Sequence, residues 1–359
     1  MSKKTKKNSK MEYLEDVFTI IAPGTPLRSA INRIQEASLG ALIVLGNYKE
    51  LSDVMGGGFE LNTSYTPQKV YELSKMDGAI IISEDVKTIY GANMQLQPDF
   101  NIKTDESGTR HQTAHRIAQQ KGHLVIAVSE RRNKITIYKD EFRYILHDIG
   151  DLLSKSSQAI MALEKYSGAI YTSLINLSIS EFDGMVSLYD VVEIIRMYGL
   201  LFKMSDELIE YTAELGTDGR LVTIQYQEIM LNQKEGFINL IRDYKVNNEI
   251  VEKIIEKIRE LSKEELLDDE KLAYILGYDL RDINFDEIIK SRGYRLLRNV
   301  NKITNKDIDL LVNEFKEIQS MLITTVEDIA QIKGISKFKA TYIHKALTRL
   351  KNRVMLDRY

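Results

Sequence analysis

The chain has 359 residues and no cysteine. That excludes disulfides, thiolate catalysis and cysteine zinc sites, and it is compatible with a reducing cytoplasm. Proline is scarce. The four prolines are Pro23, Pro26, Pro67 and Pro98, all before position 100. No run reaches the roughly 20 apolar residues of a membrane span, so no membrane partner is expected. The opening MSKKTKKNSK has lysines but no apolar core after them. It is expected to be a disordered basic tail over residues 1–10, not a signal peptide. The chain also lacks a basic balance overall, with a net charge of −3. Its distribution says more. Arg292 to Tyr359 holds 14 Lys plus Arg against 7 Asp plus Glu, a balance of +7 that leaves −10 for the preceding 291 residues. A basic C-terminal module on an acidic body points to one region that meets a polyanion.

What is present changes character along the chain. The first 150 residues carry short apolar runs: ALIVLG (41–46), GAIIIS (78–83), HLVIAVS (123–129) and KITIY (134–138), with TIYGANM (88–94) weaker. Runs apolar at consecutive positions suit strands buried on both faces. Helical patterns alternate with them. One covers about Leu27 to Glu36, one follows the Thr66-Pro67 cap, and one runs from Thr109 or Arg110 to Gln120 and stops near Gly122. The expectation is an α/β domain over 11–150, with a mixed central sheet flanked by helices. Residues 151–290 lack proline and repeat with a 3.6-residue period. They are expected to form an all-α linker or assembly domain. Residues 291–359 read as short helices with tight turns.

The key C-terminal fragment is VEDIAQIKGISKFKATYIHKAL, Val326 to Leu347. Ile329 and Ile332 precede the turn, Gly334 sits in it, and Ala340, Ile343 and Leu347 follow at helical spacing. Helix, hairpin, helix is the pattern. Backbone N–H groups at the second helix start can hold a nucleic-acid phosphate. Lys333, Gly334, Ile335, Ser336, Lys337 and Lys339 form the candidate DNA contact. The fragment resembles the helix-hairpin-helix DNA-binding family, whose turn runs Gly, apolar, Gly; here Ser336 stands at the second glycine. The plain alternative is a capped helix junction with solvated lysines. A degenerate second hairpin is expected in Arg292 to Phe315, turning near Asn301 and Lys302.

The stretch GTRHQTAHR, Gly108 to Arg116, packs two arginines and two histidines into nine residues. Glycine and threonine at a helix start free the backbone to wrap an anion. Thr109 and Thr113 can donate hydroxyls, and Arg110 can fork onto phosphate oxygens. His111 and His115 are four apart and share a helix face, a spacing that suits zinc. No glutamate stands between them as in zinc proteases, and no third ligand is obvious nearby. A polar, solvated helix start is the alternative.

SKMDGAIIIS, Ser74 to Ser83, places Asp77 just before a buried strand. A carboxylate there suits magnesium or manganese beside phosphates, or else a simple turn. GGGF (56–59) supplies flexible backbone only, because no Gly-Lys-Ser/Thr ending follows. Together Asp77 and Thr109–Thr113 make a sensible metal–nucleotide pocket. No general base is evident from the residues.

At this point the chain resembles the DisA family of DNA integrity scanning proteins, which are bacterial diadenylate cyclases. MDGAII matches the family's Asp-Gly-Ala motif, and GTRHQT its Gly-Thr-Arg-His-Arg-Thr loop. GALIVLG, GANMQLQPD, VIAVSERRNKITIY and RGYRLL also fit. The resemblance covers nearly the whole chain. It implies a multidomain protein: a cyclase domain, an all-α linker and a C-terminal helix-hairpin-helix domain. It implies condensation of two ATP into cyclic di-AMP and two pyrophosphates. It further implies Mg2+ or Mn2+, a homo-octamer with facing cyclase domains, and suppression by branched DNA such as Holliday junctions.

Carried onto this chain, the resemblance makes Asp77 the metal ligand. Gly78 and Leu96 would touch the nucleoside. Thr109, Arg110, His111 and Thr113 would line the phosphates and ribose, with Gln112 in place of the family's arginine. Ser129 and Arg132 would contact phosphate. Asp77, Arg110 and His111 are the candidate catalytic residues. Two other readings stay open: a DNA-binding scaffold with a degenerate nucleotide pocket, kept alive by Gln112, and a DNA repair nuclease. The nuclease would need clustered carboxylates, which the N-terminal region does not offer.

Overall fold

The computed structural model describes residues 16–300 and 302–356, with side chains to position 352. The tail 1–10 and Asn301 lie outside the described residues. The chain divides into two compact units. The first runs through Ser157 and adds Ile209–Thr223; the second comprises Gln158–Leu208 and the residues from Ile224 onward.

The first unit is built on eight strands: β1 (Ala41–Leu45), β2 (Met55–Gly56), β3 (Phe59–Ser64), β4 (Ala79–Ile82), β5 (Thr88–Leu96), β6 (Leu124–Ser129), β7 (Lys134–Lys139) and β8 (Phe142–Ile145). The order is β2-β5-β4-β1-β6-β7-β8, with β3 also paired to β5. β1 and β4 are parallel, and the other pairings are antiparallel. The sheet is thus mixed, as the apolar runs predict.

Its two faces explain those runs. Ile43 and Leu45 of β1 join Ile80, Ile82, Ile126 and Val128 in one core, under Leu27, Ala30, Ile31 and Ile34 of helix Pro26–Glu36. Leu42 and Val44 join Ala79, Ile81, Val125 and Ala127 in the other, under Ala114, Ile117 and Ala118 of helix Thr109–Lys121. Successive residues point to opposite faces, and a helix covers each face, so every position is apolar. A fully buried Ile or Leu contributes about 1.5–3 kcal/mol, which makes these strands the anchor of everything placed at their ends.

Sequence signals fix the helix boundaries. Thr25 caps Pro26–Glu36, accepting from the Arg28 amide at 3.2 Å. Thr66 caps helix Pro67–Leu73, with Pro67 at its first position. Gly122 ends Thr109–Lys121 at φ 68°, the left-handed conformation glycine adopts without strain.

The second unit is helical. Its C-terminal part includes helices Tyr294–Arg298, Asn305–Phe315, Ile318–Ile323, Val326–Gln331 and Lys337–Leu356. Leu296, Leu297, Ile308, Leu311, Ile329, Ile343 and Leu347 form one core with Phe182. A buried polar knot lies in this unit. Arg295 pairs with Glu181 and donates to Ser178 Oγ at 2.9 Å, while Glu181 accepts from the Tyr244 hydroxyl at 2.6 Å. Asp243 accepts from the Tyr294 and Arg295 amides at 2.5 and 3.0 Å.

Candidate active site

Helix Thr109–Lys121 divides its surface by residue period. Ala114, Ile117 and Ala118 face the sheet. A second face stitches down the loop before it. Gln112 Nε2 donates to the Glu106 carbonyl at 2.9 Å, and Arg116 Nε to the Ile102 carbonyl at 3.0 Å. His115 Nδ1 lies 2.8 Å from Thr104 Oγ1, and its Nε2 lies 2.8 Å from Gln119 Nε2. Gln120 accepts from the Asp99 amide at 2.9 Å. These bonds hold the helix entrance open toward a third direction. Gly108 is the N-cap and has no side-chain capping bond, so the first-turn amides are left for an anion.

That entrance opens into a cavity of about 870 Å3. Of the candidate residues, Gly78, Leu96, Thr109, Arg110, His111, Thr113, Ser129 and Arg132 line it. Four elements bring them together: the turn before β4, the end of β5, the helix entrance, and the β6–β7 turn. Arg132 spans that turn. Its amide donates to Ser129 Oγ at 3.3 Å, and its guanidinium to Ser107 Oγ at 3.3 Å. Two candidates stand outside the lining. Asp77 is exposed in the bend immediately before Gly78. Gln112 is spent on the loop tether.

The electrostatics favour a polyanion. Arg110, Arg131, Arg132, Lys134 and Arg143 line the cavity against Glu106 and Glu130. Glu106 pairs with Arg143 at 2.5 Å. Arg110 lies close over Gly40, where a Cβ would run into its guanidinium. His111 Nδ1 lies 2.9 Å from the Tyr138 hydroxyl. Burial holds His111 below the ordinary histidine value; Glu106 opposes this, while Arg110, Arg143 and Arg132 add to it. Arg131, Lys134, Arg143, Glu106 and Tyr138 did not emerge from the sequence. The first two sit beside Arg132 in SERRNK, where their charge was a readable signal. The other three carry no spacing signal.

Hard oxygen donors are what magnesium and manganese take. Among the described residues no group of three or more His, Asp and Glu gathers as a metal cage. A single carboxylate is still a fitting donor, because magnesium is commonly held by one or two carboxylates plus substrate phosphates and water.

The C-terminal fragment forms the expected hairpin. Helices Val326–Gln331 and Lys337–Leu356 flank a turn with Gly334 at φ 106°. Ile335 is buried at the turn. Its amide donates to the Ile332 carbonyl at 3.0 Å. Ser336 has no left-handed backbone. Its hydroxyl instead accepts from the Lys339 amide at 3.3 Å, so serine serves here as a cap at the helix start. Lys333 and Lys337 are exposed. Lys339 is committed to Asp307. The degenerate hairpin is also present in outline, as helices Tyr294–Arg298 and Asn305–Phe315, with Lys302 at φ 64° between them.

Residues 28–142 match the family described as DisA bacterial checkpoint controller nucleotide-binding, and residues 146–284 match the DisA bacterial checkpoint controller linker region. The chain is 41% identical over 345 residues to the DNA integrity scanning protein DisA of Clostridium botulinum, covering 96% of this chain and 97% of the relative. It is 38% identical over 352 residues to the DisA of Clostridioides difficile, covering 98% of each. With the DisA of Clostridium acetobutylicum the identity is 40% over 344 residues, covering 96% of each. Similarity that runs through the cavity segment and the helices after it, nearly end to end, makes the chain a member of the DisA family of bacterial checkpoint controllers.

Proposed function

We propose that this chain is a diadenylate cyclase whose output is coupled to DNA. Two ATP molecules are condensed into cyclic di-AMP with release of two pyrophosphates. Each 3′-oxygen forms a bond to the other nucleotide's α-phosphorus, the α–β phosphoanhydride bond breaks, and pyrophosphate leaves. The observation that carries this reading is the cationic cavity lined by Gly78, Thr109, Arg110, His111 and Thr113, inside the segment that matches the family's nucleotide-binding model.

In this reading Thr109, Thr113, Arg110 and the first-turn amides hold phosphate oxygens, supported by the uncapped helix start and its dipole. Ser129 and Arg132 close the phosphate side, and Gly78 and Leu96 flank the nucleoside. Asp77, with triphosphate oxygens and water, would hold Mg2+ or Mn2+, which when bound neutralises triphosphate charge. Gln112 bears on the rival of a degenerate pocket. Its tether to the Glu106 carbonyl places the altered side chain on the loop and not among the lining groups, which favours a working site.

Residues 11–150 act as the cyclase domain, 151–290 as the linker and assembly domain, and 291–359 as the DNA-binding domain. Exposed Lys333 and Lys337 and the amide at Ser336 meet a DNA backbone, preferably of branched DNA such as Holliday junctions. A homo-octamer would bring cyclase domains face to face, in the cytoplasm, where ATP and DNA are available. No described helix is long and apolar enough to cross a membrane.

The test is product analysis after incubation with ATP and manganese, with and without branched DNA, on wild type and Asp77→Asn. Cyclic di-AMP from wild type, a loss of orders of magnitude in Asp77→Asn with the fold intact, and suppression by branched DNA are expected. Absence of cyclic di-AMP from folded wild type overturns the reading. Near-normal activity of Asp77→Asn removes Asp77 from the metal role.

A further inference from the structure

Glu214 is fully buried and belongs to neither sequence motif. A carboxylate in an apolar interior is costly unless donors surround it. Glu214 has them. Its Oε1 accepts from the His147 amide at 2.6 Å. Its Oε2 accepts from the Tyr144 hydroxyl at 2.6 Å and lies 2.8 Å from His147 Nδ1. The His147 carbonyl is taken as well, by Nη2 of buried Arg28 at 3.3 Å. None of these four residues lines the cavity.

What they hold is β8. This strand has four residues and is the last of the sheet, so ladder bonds reach it from β7 alone. Arg143 pairs with Tyr138, Tyr144 with Ile137 and Ile145 with Thr136. Successive strand residues point to opposite faces. Tyr144 packs with Ile137 in the core under helix Pro26–Glu36, its ring edge-on to Phe18 at 5.5 Å. Arg143 and Ile145 take the other face and line the cavity beside Thr136. Glu214 thus grips the strand from behind, once between the two cavity residues and once just past the strand end. The helix that carries it, Leu188–Leu215, begins in the second unit, and its last turns belong to the first. The turn that follows is seated there too, with Thr217 Oγ1 donating to the Pro23 carbonyl at 3.2 Å.

We propose that Glu214 is a positioning residue for the nucleotide cavity: it clamps β8 through Tyr144 and His147, and so keeps Arg143 and Ile145 in the cavity wall. Arg143 then stands ready for phosphate oxygens, with Ile145 fixed two residues on along the same face. The cavity half of this inference rests on the reading of the site as an ATP site. The clamp half rests on the hydrogen bonds alone. The cyclase fold is complete only with a side chain from the stretch read as linker.

The test has two readouts on the full-length protein. Ile34→Ala is the control, since it opens a void in the same core and leaves the hydrogen bonds to β8 in place. Amide hydrogen exchange without nucleotide reads the clamp. Residues 142–147 should exchange about tenfold faster in Glu214→Ala than in wild type, with no such local change in Ile34→Ala. Binding of α,β-methylene-ATP in magnesium reads the cavity. Glu214→Ala should weaken it about tenfold, Glu214→Gln, which keeps an acceptor, by less, and Ile34→Ala not at all. Arg143→Ala should also weaken it. The double variant Glu214→Ala/Arg143→Ala should lose less than the product of the two single losses, because both act through one strand. Tyr144→Phe, which keeps the ring and drops the hydroxyl, replaces Glu214→Ala should that variant fail to fold. Unchanged exchange over 142–147 overturns the clamp. A loss of affinity shared equally by Ile34→Ala, or a double variant that shows the full product, overturns the link to the cavity. Failure of the analogue to bind wild type counts against the ATP reading itself and removes the cavity half, while exchange still decides the clamp.

Discussion

Lys339 Nζ lies 2.7 Å from the carboxylate of Asp307, whose side chain is only 5% exposed. The pair joins helix Lys337–Leu356 to helix Asn305–Phe315. Asp307 also closes the capping box with Thr304. Burial works to raise the Asp307 pKa, but the hydrogen bonds from Lys339 and Thr304 override it and hold it below the ordinary carboxylate value. The lysines of the hairpin therefore have different jobs. Lys333→Ala and Lys337→Ala should leave stability unchanged and weaken DNA binding at every sequence, each lowering the salt slope by about one. Lys339→Ala should cost about 1–3 kcal/mol of stability by leaving a buried acceptor short of its partner. Titrations at several salt concentrations and calorimetric melting separate the two classes. Equal melting temperatures for all three variants would refute the division.

The polar knot around Arg295 sets a second expectation. Asp243 is pushed up to about 7 by burial first and by Glu181 next, against Arg295. A carboxyl raised on folding binds its proton more tightly in the folded state. Its contribution is complete below the unfolded value near 4 and disappears as pH rises through about 7. Melting of the wild type should thus occur at higher temperature near pH 5 than near pH 8. Asp243→Asn should flatten that difference, because asparagine does not titrate. A variant whose melting keeps the full wild-type pH slope would exclude Asp243 as the source.

The sheet was legible because burial on both faces leaves no room for polar alternation. ALIVL, AIII and LVIAV announce themselves for that reason. β3 did not. FELNTS is almost wholly exposed and pairs only with β5, so neither apolar content nor period marks it. β8, FRYI, is short and half exposed at the sheet's other end. Within the site, Thr109, Arg110 and Thr113 could be read because one helix turn places them together. Glu106, Tyr138 and Arg143 could not. They meet only when β7, β8 and the loop before the helix have folded, and nothing in their spacing encodes that meeting. Ser336 shows the opposite error. Judged as a missing glycine it weakens the hairpin, yet its backbone needs no left-handed turn and its hydroxyl caps the helix.

Gly40 offers a test of Arg110 that leaves Arg110 itself in place. Its backbone is not left-handed, so alanine is tolerated there without strain. The three atoms nearest to an added Cβ all belong to the guanidinium of Arg110, the far end of a flexible side chain. Gly40→Ala should therefore fold with stability within about 0.5 kcal/mol of wild type while displacing the guanidinium from its seat. The apparent KM for ATP should rise about tenfold, the loss of one charge-assisted hydrogen bond. Unchanged KM alongside unchanged stability would mean that the seat over Gly40 is not the working position of Arg110.

The geometry of the product sets the last expectation. Cyclic di-AMP is closed by two equivalent linkages, each made by one nucleotide's 3′-oxygen on the other's α-phosphorus. Residues of both sequence motifs, Gly78 and Ala79 from one and Thr109, Arg110, His111 and Thr113 from the other, line a single cavity in one chain. One such cavity, holding one ATP, cannot present a second nucleotide in the orientation related to the first by a two-fold axis. On the proposed reaction, two chains would face each other for the ring to close. Specific activity should then rise with protein concentration and level off once cyclase domains are paired. Binding of a non-reacting ATP analogue should stay at one per chain throughout. Mass measurement alongside the assay identifies the species present at each concentration. Constant turnover per chain under conditions where only monomers are detected would contradict the requirement for a facing site, because a lone cavity would then have to bind both nucleotides in turn and in opposite senses with the same set of donors.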